Sequence, residues 1–146
     1  MTDFCGIPLA SLRENSITEL DLKGKGVDVS GALVLSKLLP SATVLTSLNL
    51  VGNQLCGLYN DHQGRLQGTY TAKGISALCD GLKGSAITSL SLRYIELGPK
   101  GGAALAAGLK GNPTLQVLNL SYNNLGPQAG ATLAEGLKGY STLQSL

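Results

Sequence analysis

The chain has 146 residues, enough for one domain with a continuous core and too few for two independent ones. With 20 glycines, a single phenylalanine and no tryptophan, its core must be packed from Leu, Ala, Val and Ile. The 11 basic and 9 acidic residues are scattered along the chain, which argues against a nucleic-acid partner; no apolar run approaches a membrane span, and the N-terminus lacks the basic and apolar regions of a secretion signal. A soluble, cytoplasmic protein is expected.

In chain order, residues 1–16 read as the helical tail of an earlier unit, with Leu9 and Leu12 on one side and a turn at Glu14, Asn15 and Ser16. They could serve as a partial N-terminal repeat or cap. A pattern of the type Leu-x-x-Leu-x-Leu then begins at Ile17 and recurs at Leu45, Ile87, Leu115 and Leu143. The intervals are 28, 42, 28 and 28 residues, so one repeat carries an insertion and the others keep a fixed period. This spacing predicts one domain over residues 1–146. Its repeats lie near 17–44, 45–86 with an insertion at 57–71, 87–114 and 115–142, and a truncated fifth strand occupies 143–146.

Each repeat divides into two halves. ITELDL, LTSLNL, ITSLSL and LQVLNL alternate apolar with polar residues and predict short strands with one wet face. A helical spacing follows, as in Leu105 with Leu109 and Leu133 with Leu137, and Pro99 and Pro127 suit a first helical turn. Ser30 and Thr71 are the expected N-caps of the two earlier helices. Gly84, Gly111 and Gly139 stand where a helix should stop in a left-handed residue. Gly74, Gly101, Gly102, Gly130, Ala104 and Ala131 lie near helix starts, where small residues let neighbouring helices approach. Glycine inside a helix costs about 1 kcal/mol relative to alanine, so Gly81, Gly108 and Gly136 need either close packing or an early helix end. A strand followed by a helix, repeated with short connections, places the strands side by side in parallel. Helices are wider than strands, so the stack is expected to curve with the strands inside.

The segment LQVLNLSYNNLGPQAGATLAEGLKGYST resembles a repeat of the ribonuclease-inhibitor type of leucine-rich repeat, as found in NOD-like receptors and Ran GTPase-activating proteins. The resemblance extends over residues 17–146. It implies an α/β solenoid, a right-handed β-α superhelix forming a horseshoe arc with strands on the concave face and helices on the convex face. The family's turn asparagine is matched by Asn53 and Asn123 and not at Lys25 or Ile95, where the turns are expected to be looser. Family members bind unrelated proteins on one scaffold, so the resemblance implies a protein-binding module, alone or as part of a larger receptor-like or regulatory protein. The alternative it carries is a GTPase-activating role of the Ran type, in a family with a longer array and an acidic tail.

In a strand written x-Leu-x-Leu-x the leucines enter the core and the flanking residues face outward. This assigns Glu19, Asp21 and Lys23; Ser47, Asn49 and Val51; Ser89, Ser91 and Arg93; and Val117, Asn119 and Ser121 to one face. Tyr94 and Tyr122 follow at matching positions, and stacked near Arg93 they are the expected anchor for a protein partner. Two other readings remain: short polar residues that a solvated strand simply tolerates, and a binding surface on the insertion through Tyr59, Arg65 and Tyr70.

Catalysis would require His62, the single histidine, to act with Asp61 and a serine or Cys56, but no nucleophile motif accompanies them. A metal would have to be held by the adjacent Asn60, Asp61 and His62, which rarely converge on one ion. A polar surface loop is the expectation, with no enzyme activity and no cofactor. Gly24-Lys25-Gly26 lacks the third glycine of a dinucleotide loop and reads as a turn. Pro99-Lys-Gly-Gly reads as a helix start rather than an anion site. The acceptor pattern at Asn119-Leu-Ser121 falls within a strand. Cys5, Cys56 and Cys79 have no paired spacing and are expected to be reduced and mostly buried. The C-terminal strand leaves an unpaired edge through which copies could associate.

Overall fold

The computed structural model describes residues 3–4, 7–8, 17–110, 114–127, 131–133 and 142–144. Two short strands, β1 (Asp3–Phe4) and β2 (Ile7–Pro8), pair antiparallel at the start, with Phe4 opposite Ile7. At these four residues the backbone is extended rather than helical: aromatic and β-branched residues favour extended backbone, and Pro8 removes a helix donor. Leu9, Leu12 and the turn at 14–16 lie outside the described residues.

From residue 17 onward strands and helices alternate. The strands are β3 (Glu19–Asp21), β4 (Ser47–Asn49), β7 (Ser89–Ser91), β8 (Val117–Asn119) and β9 (Thr142–Gln144). Between them lie α1 (Val29–Leu38), continued by a 3-10 turn at Leu39–Ser41, then α2 (Lys73–Lys83) and α3 (Gly98–Leu109). Helical residues recur at 126–127 and 131–133, so Pro127 does sit at a helix start. A second antiparallel pair, β5 (Leu58–Asn60) and β6 (Leu66–Gly68), interrupts the second repeat.

The five long-range strands form one parallel sheet in the order β3-β4-β7-β8-β9, which is also their chain order. Their register puts Leu20, Leu48, Leu90, Leu118 and Leu143 in one row. The first four are buried, as is a second row formed by Leu22, Leu50, Leu92 and Leu120. Helix residues Leu35 of α1, Leu78 and Leu82 of α2, and Leu105 and Leu109 of α3 complete the same apolar cluster. Each fully buried leucine contributes about 1.5–3 kcal/mol, so the period of the leucines is the main source of the fold's stability. The fifth strand starts at Thr142, three residues before the 28-residue spacing from Val117 predicts, so Leu143 aligns with Leu118, the second leucine of the pattern, and not with Leu115, the first.

Helix ends differ from the sequence expectation in three places. The N-cap of α1 is Asp28, whose carboxylate accepts from the Gly31 amide at 3.0 Å; Ser30 lies already inside the helix. The N-cap of α2 is Ala72, although Thr71 still supports the start by accepting from the Lys73 amide at 3.2 Å. Gly84 ends α2 with φ −96° rather than in the left-handed region. Pro99 occupies the first turn of α3 as expected.

Helix packing accounts for the interior glycines. A Cβ on Gly81 would sit 2.5 Å from the Ser36 carbonyl oxygen of α1, and one on Gly108 would sit 2.6 Å from the Cys79 sulfur of α2. A Cβ on Gly74 would lie 2.5 Å from the Leu55 carbonyl oxygen, so this small residue also serves close approach. Ala131 is exposed. Gly111, Gly130, Gly136 and Gly139 lie outside the described residues.

The two turn asparagines are buried and bridge repeats. Asn53 Nδ2 donates to Leu50 O at 3.0 Å in its own repeat and to Leu22 O at 2.8 Å in the preceding one, while its Oδ1 accepts from the Val27 amide at 2.9 Å. Asn123 repeats the arrangement, donating to Leu120 O and Leu92 O and accepting from the Ile95 and Leu97 amides at 3.0 and 3.2 Å. The turns at Lys25 and Ile95, expected to be loose for want of their own asparagine, are therefore held by the asparagine of the next repeat, and Ile95 is fully buried. Asn53→Ala and Asn123→Ala each strand several buried backbone groups. Urea unfolding should show each variant destabilised by about 2–4 kcal/mol, against less than about 0.5 for the exposed Gln116→Ala.

Candidate functional site

The outward rows of the sheet follow directly from strand register. Glu19, Ser47, Ser89 and Val117 form one row, and Asp21, Asn49, Ser91 and Asn119 form the next. Backbone bonding continues past the strand ends, from the Gly24 amide to Val51 O, from Gly52 to Arg93 O and from Tyr94 to Ser121 O. Lys23, Val51, Arg93 and Ser121 are therefore a third row. All the residues assigned to this face from the sequence lie on it. Those of the first repeat are exposed, and the rest of the three rows are half-buried between neighbours.

The second row has a structural duty that sequence reasoning missed. Asp21 Oδ1 accepts from the Lys23 amide, Asn49 Oδ1 from Val51 and Asn119 Oδ1 from Ser121, at 3.0–3.1 Å. The Ser121 hydroxyl also donates to Asn119 Oδ1. Short Asp and Asn side chains bond readily to an amide two residues on, so these oxygens brace the chain as it leaves β3, β4 and β8. The signal was present in the sequence as Asp or Asn recurring at one repeat position.

Immediately after the third row the backbone turns left-handed in every repeat: φ is +61° at Gly24, +71° at Gly52, +60° at Tyr94 and +60° at Tyr122. A non-glycine residue there gives up about 1–2 kcal/mol. The two tyrosines recover part of it by stacking, with ring centroids 5.0 Å apart and planes 6° from parallel. The Arg93 guanidinium lies 4.7 Å from the Tyr122 ring centroid and 5.6 Å from that of Tyr94. Arg93 Nε is buried and has no hydrogen-bond partner among the described residues. Tyr94 is 52% and Tyr122 62% exposed, large fractions for apolar rings beside an arginine.

The insertion is a hairpin rather than an irregular loop. Its neck closes where the Thr71 amide donates to Cys56 O at 2.9 Å. Gly57 and Gly68 meet so closely that a Cβ on either would strike the opposing backbone. Asp61 organises the tip: Oδ1 accepts from the Arg65 and Gln63 amides, and Oδ2 pairs with Arg65 Nε at 3.0 Å and accepts from Gln67. The Arg65 amide is the largest influence on this carboxyl; with the other donors it outweighs partial burial and holds it below the usual carboxylate value. Asp61 is thus spent on the turn rather than aimed at the exposed His62. Tyr70, expected at the surface of the insertion, packs half-buried against the core, while Tyr59 and Leu66 project. Among the described residues no group of three or more His, Cys, Asp or Glu could hold a metal ion.

Hairpin and sheet come together in one place. Asn60 donates to Glu96 across a 3.4 Å contact, and a cleft of about 390 Å³ opens between the hairpin and the turns. Its walls include Lys23, Gly24, Gly52, Tyr59, Tyr94 and Glu96. Sequence spacing could not reveal this cleft, because it depends on how the hairpin folds back over repeats on either side of it.

Cys56 and Cys79 are free and buried, and burial pushes both thiols up to about 12. A neutral, enclosed thiol is a poor nucleophile. Because the unfolded thiols ionise near 9.0 and the folded ones near 12, their contribution to stability is complete below pH 9 and is lost as pH rises toward 12. In a Cys5→Ala background, thiol labelling at pH 8 should be at least about 100-fold slower for the folded chain than in denaturant. Rapid labelling of the folded chain would show that neither thiol is enclosed.

Among the described residues no helix is long and apolar enough to cross a membrane. The family model described as leucine rich repeat matches residues 111–134. No curated protein sequence matches the chain. Among solved structures, leiomodin-1 actin-binding site 2 shares the fold with a TM-score of 0.74 at 19% sequence identity, covering 100% of this chain and 81% of that one. Residues 111–134 therefore match a leucine-rich repeat, within an α/β repeat fold whose main sheet is parallel.

Proposed function

We propose that the chain is a protein-interaction module that recognises its partner through the outward face of the sheet, centred on Arg93, Tyr94 and Tyr122. The observation that carries this reading is the stacked, exposed tyrosine pair with an arginine lying against it. Tyr and Arg supply much of the energy at protein interfaces because they bring large rigid area and charge with few degrees of freedom to lose. Braced strand ends support the reading further, since a face held in place before binding loses less entropy on docking. Leiomodin-1 actin-binding site 2, which shares the fold, is by its name a protein-binding element, and that use of the scaffold agrees with the proposal.

In this reading the repeats belong to the ribonuclease-inhibitor type and form a right-handed solenoid, a horseshoe arc with Glu19, Asp21, Lys23, Asn49, Val51, Ser91, Arg93, Asn119 and Ser121 on its concave side. The 28-residue period supports that geometry. Buried free thiols suit a reducing, cytoplasmic setting. The β9 edge of the sheet offers a route for association between copies. GTPase activation is the second reading and rests on the family resemblance alone.

Immobilised wild-type chain and the variants Arg93→Ala, Tyr94→Ala and Tyr122→Ala test the proposal when compared for capture of a purified partner. Each substitution should weaken the interaction at least tenfold, or about 1.4 kcal/mol, while circular dichroism stays unchanged. A partner that binds all four chains equally would refute this face as its site.

A further inference from the structure

We propose that the two glycine positions beside Tyr94 form a shelf that receives a planar aromatic side chain, Tyr or Trp, from the protein partner. This deepens the protein-interaction reading and rests on it. The left-handed position is Gly24, Gly52, Tyr94 and Tyr122 in successive repeats. The two tyrosine rings are stacked at 5.0 Å, which is the spacing of adjacent strands in a sheet. One face of Tyr94 is covered by Tyr122. Since the strand order is β4-β7-β8, its other face looks toward Gly52.

Among the described residues nothing fills that space. A Cβ on Gly52 would come no closer than 4.0 Å to any atom, and one on Gly24 would meet nothing within 4 Å. The result is the cleft of about 390 Å³, floored by the glycines, closed on one side by the Tyr94 ring and on another by Leu58 and Tyr59 of the hairpin. This lies at the small end of the roughly 300–1,000 Å³ that ligand sites span. Lys23 lines the same cleft, so an entering ring meets a parallel aromatic face and a cation together. Arg93 against the Tyr94 and Tyr122 rings already shows that combination within the chain. An aliphatic side chain would use the volume without the stacking or the charge. A nucleobase would bring phosphate to a cleft whose one lysine is balanced by Glu96.

The shelf can be tested with N-acetyl-tryptophanamide, N-acetyl-tyrosinamide, N-acetyl-leucinamide and adenosine monophosphate, each titrated into the isotopically labelled chain and followed by NMR. The aromatic amides should give saturable ring-current shifts at Gly24, Gly52 and Tyr94, with the leucine amide and the nucleotide at least tenfold weaker. Gly52→Tyr should extend the ladder and reduce binding of the aromatic amides at least tenfold. Tyrosine already occupies this φ in two neighbouring repeats. Tyr94→Ala provides a second test that does not depend on folding of the first variant; it should abolish the shifts, and Tyr94→Phe should retain them. Equal binding of the leucine amide, tighter binding of the nucleotide, or aromatic binding undiminished in both Gly52→Tyr and Tyr94→Ala would overturn the shelf. If Arg93→Ala and Tyr122→Ala abolish partner capture while the probes ignore the shelf, this inference falls and the interaction face stands. If the probes saturate the shelf while partner capture ignores Arg93 and Tyr122, the shelf stands and the face falls.

Discussion

A buried carboxamide reaching from one repeat into the turn of the repeat before it is the constraint on which the site depends. Backbone that leaves a strand and turns toward a helix carries amides and carbonyls that no ladder satisfies, and burying them unpaired would cost about 1–3 kcal/mol each. Asn53 and Asn123 meet that demand on both sides of a repeat boundary, with one oxygen accepting and one amide group donating. The leucine rows supply the larger share of the stability, but apolar packing is non-directional and would tolerate some sliding between repeats. Directional bonds at the boundary hold neighbouring turns in register, and the outward residues share that register.

Register is what brings Tyr94 and Tyr122 into contact. The left-handed residue after each strand lies one strand spacing from its neighbour, so identical side chains there must either stack or clash. Flat rings stack, and Arg93 completes the cluster from the row beside them. Glycine at the same position in the first two repeats satisfies the backbone equally well and leaves the sheet bare. One backbone requirement thus divides the face into an aromatic half and an open half. The boundary between them falls at Tyr94.

The hairpin turns that boundary into a cleft. It branches from the second repeat at a neck closed by Cys56 and Thr71, and its tip is organised internally by Asp61. It therefore adds a wall without disturbing the leucine rows, whose register continues from β4 to β7 across the insertion. The Asn60 contact to Glu96 reaches from the hairpin to the repeat that carries Tyr94. Groups that looked chemical in the sequence have structural settings here: Asp61 holds the turn, and Cys56 is buried in the core, which raises its thiol.

Periodicity alone determined the first four strands of the main sheet, their outward rows and the buried leucines, because a 28-residue recurrence of alternating apolar positions has few ways to bury them other than side by side. It also anticipated the Tyr94 and Tyr122 pair, since equal positions in adjacent repeats become neighbours. Local chemistry was less legible. Asp28 rather than Ser30 caps α1 and Gly84 ends α2 without a left-handed residue, each decided by competition among nearby groups of similar propensity. The turns at Lys25 and Ile95 are sound because their partners are Asn53 and Asn123, 26 to 31 residues away, a distance over which no local signal operates. Only tertiary structure decided the cleft, since its walls come from a hairpin and from turns of three repeats, and their meeting depends on packing across an insertion that has no period to read.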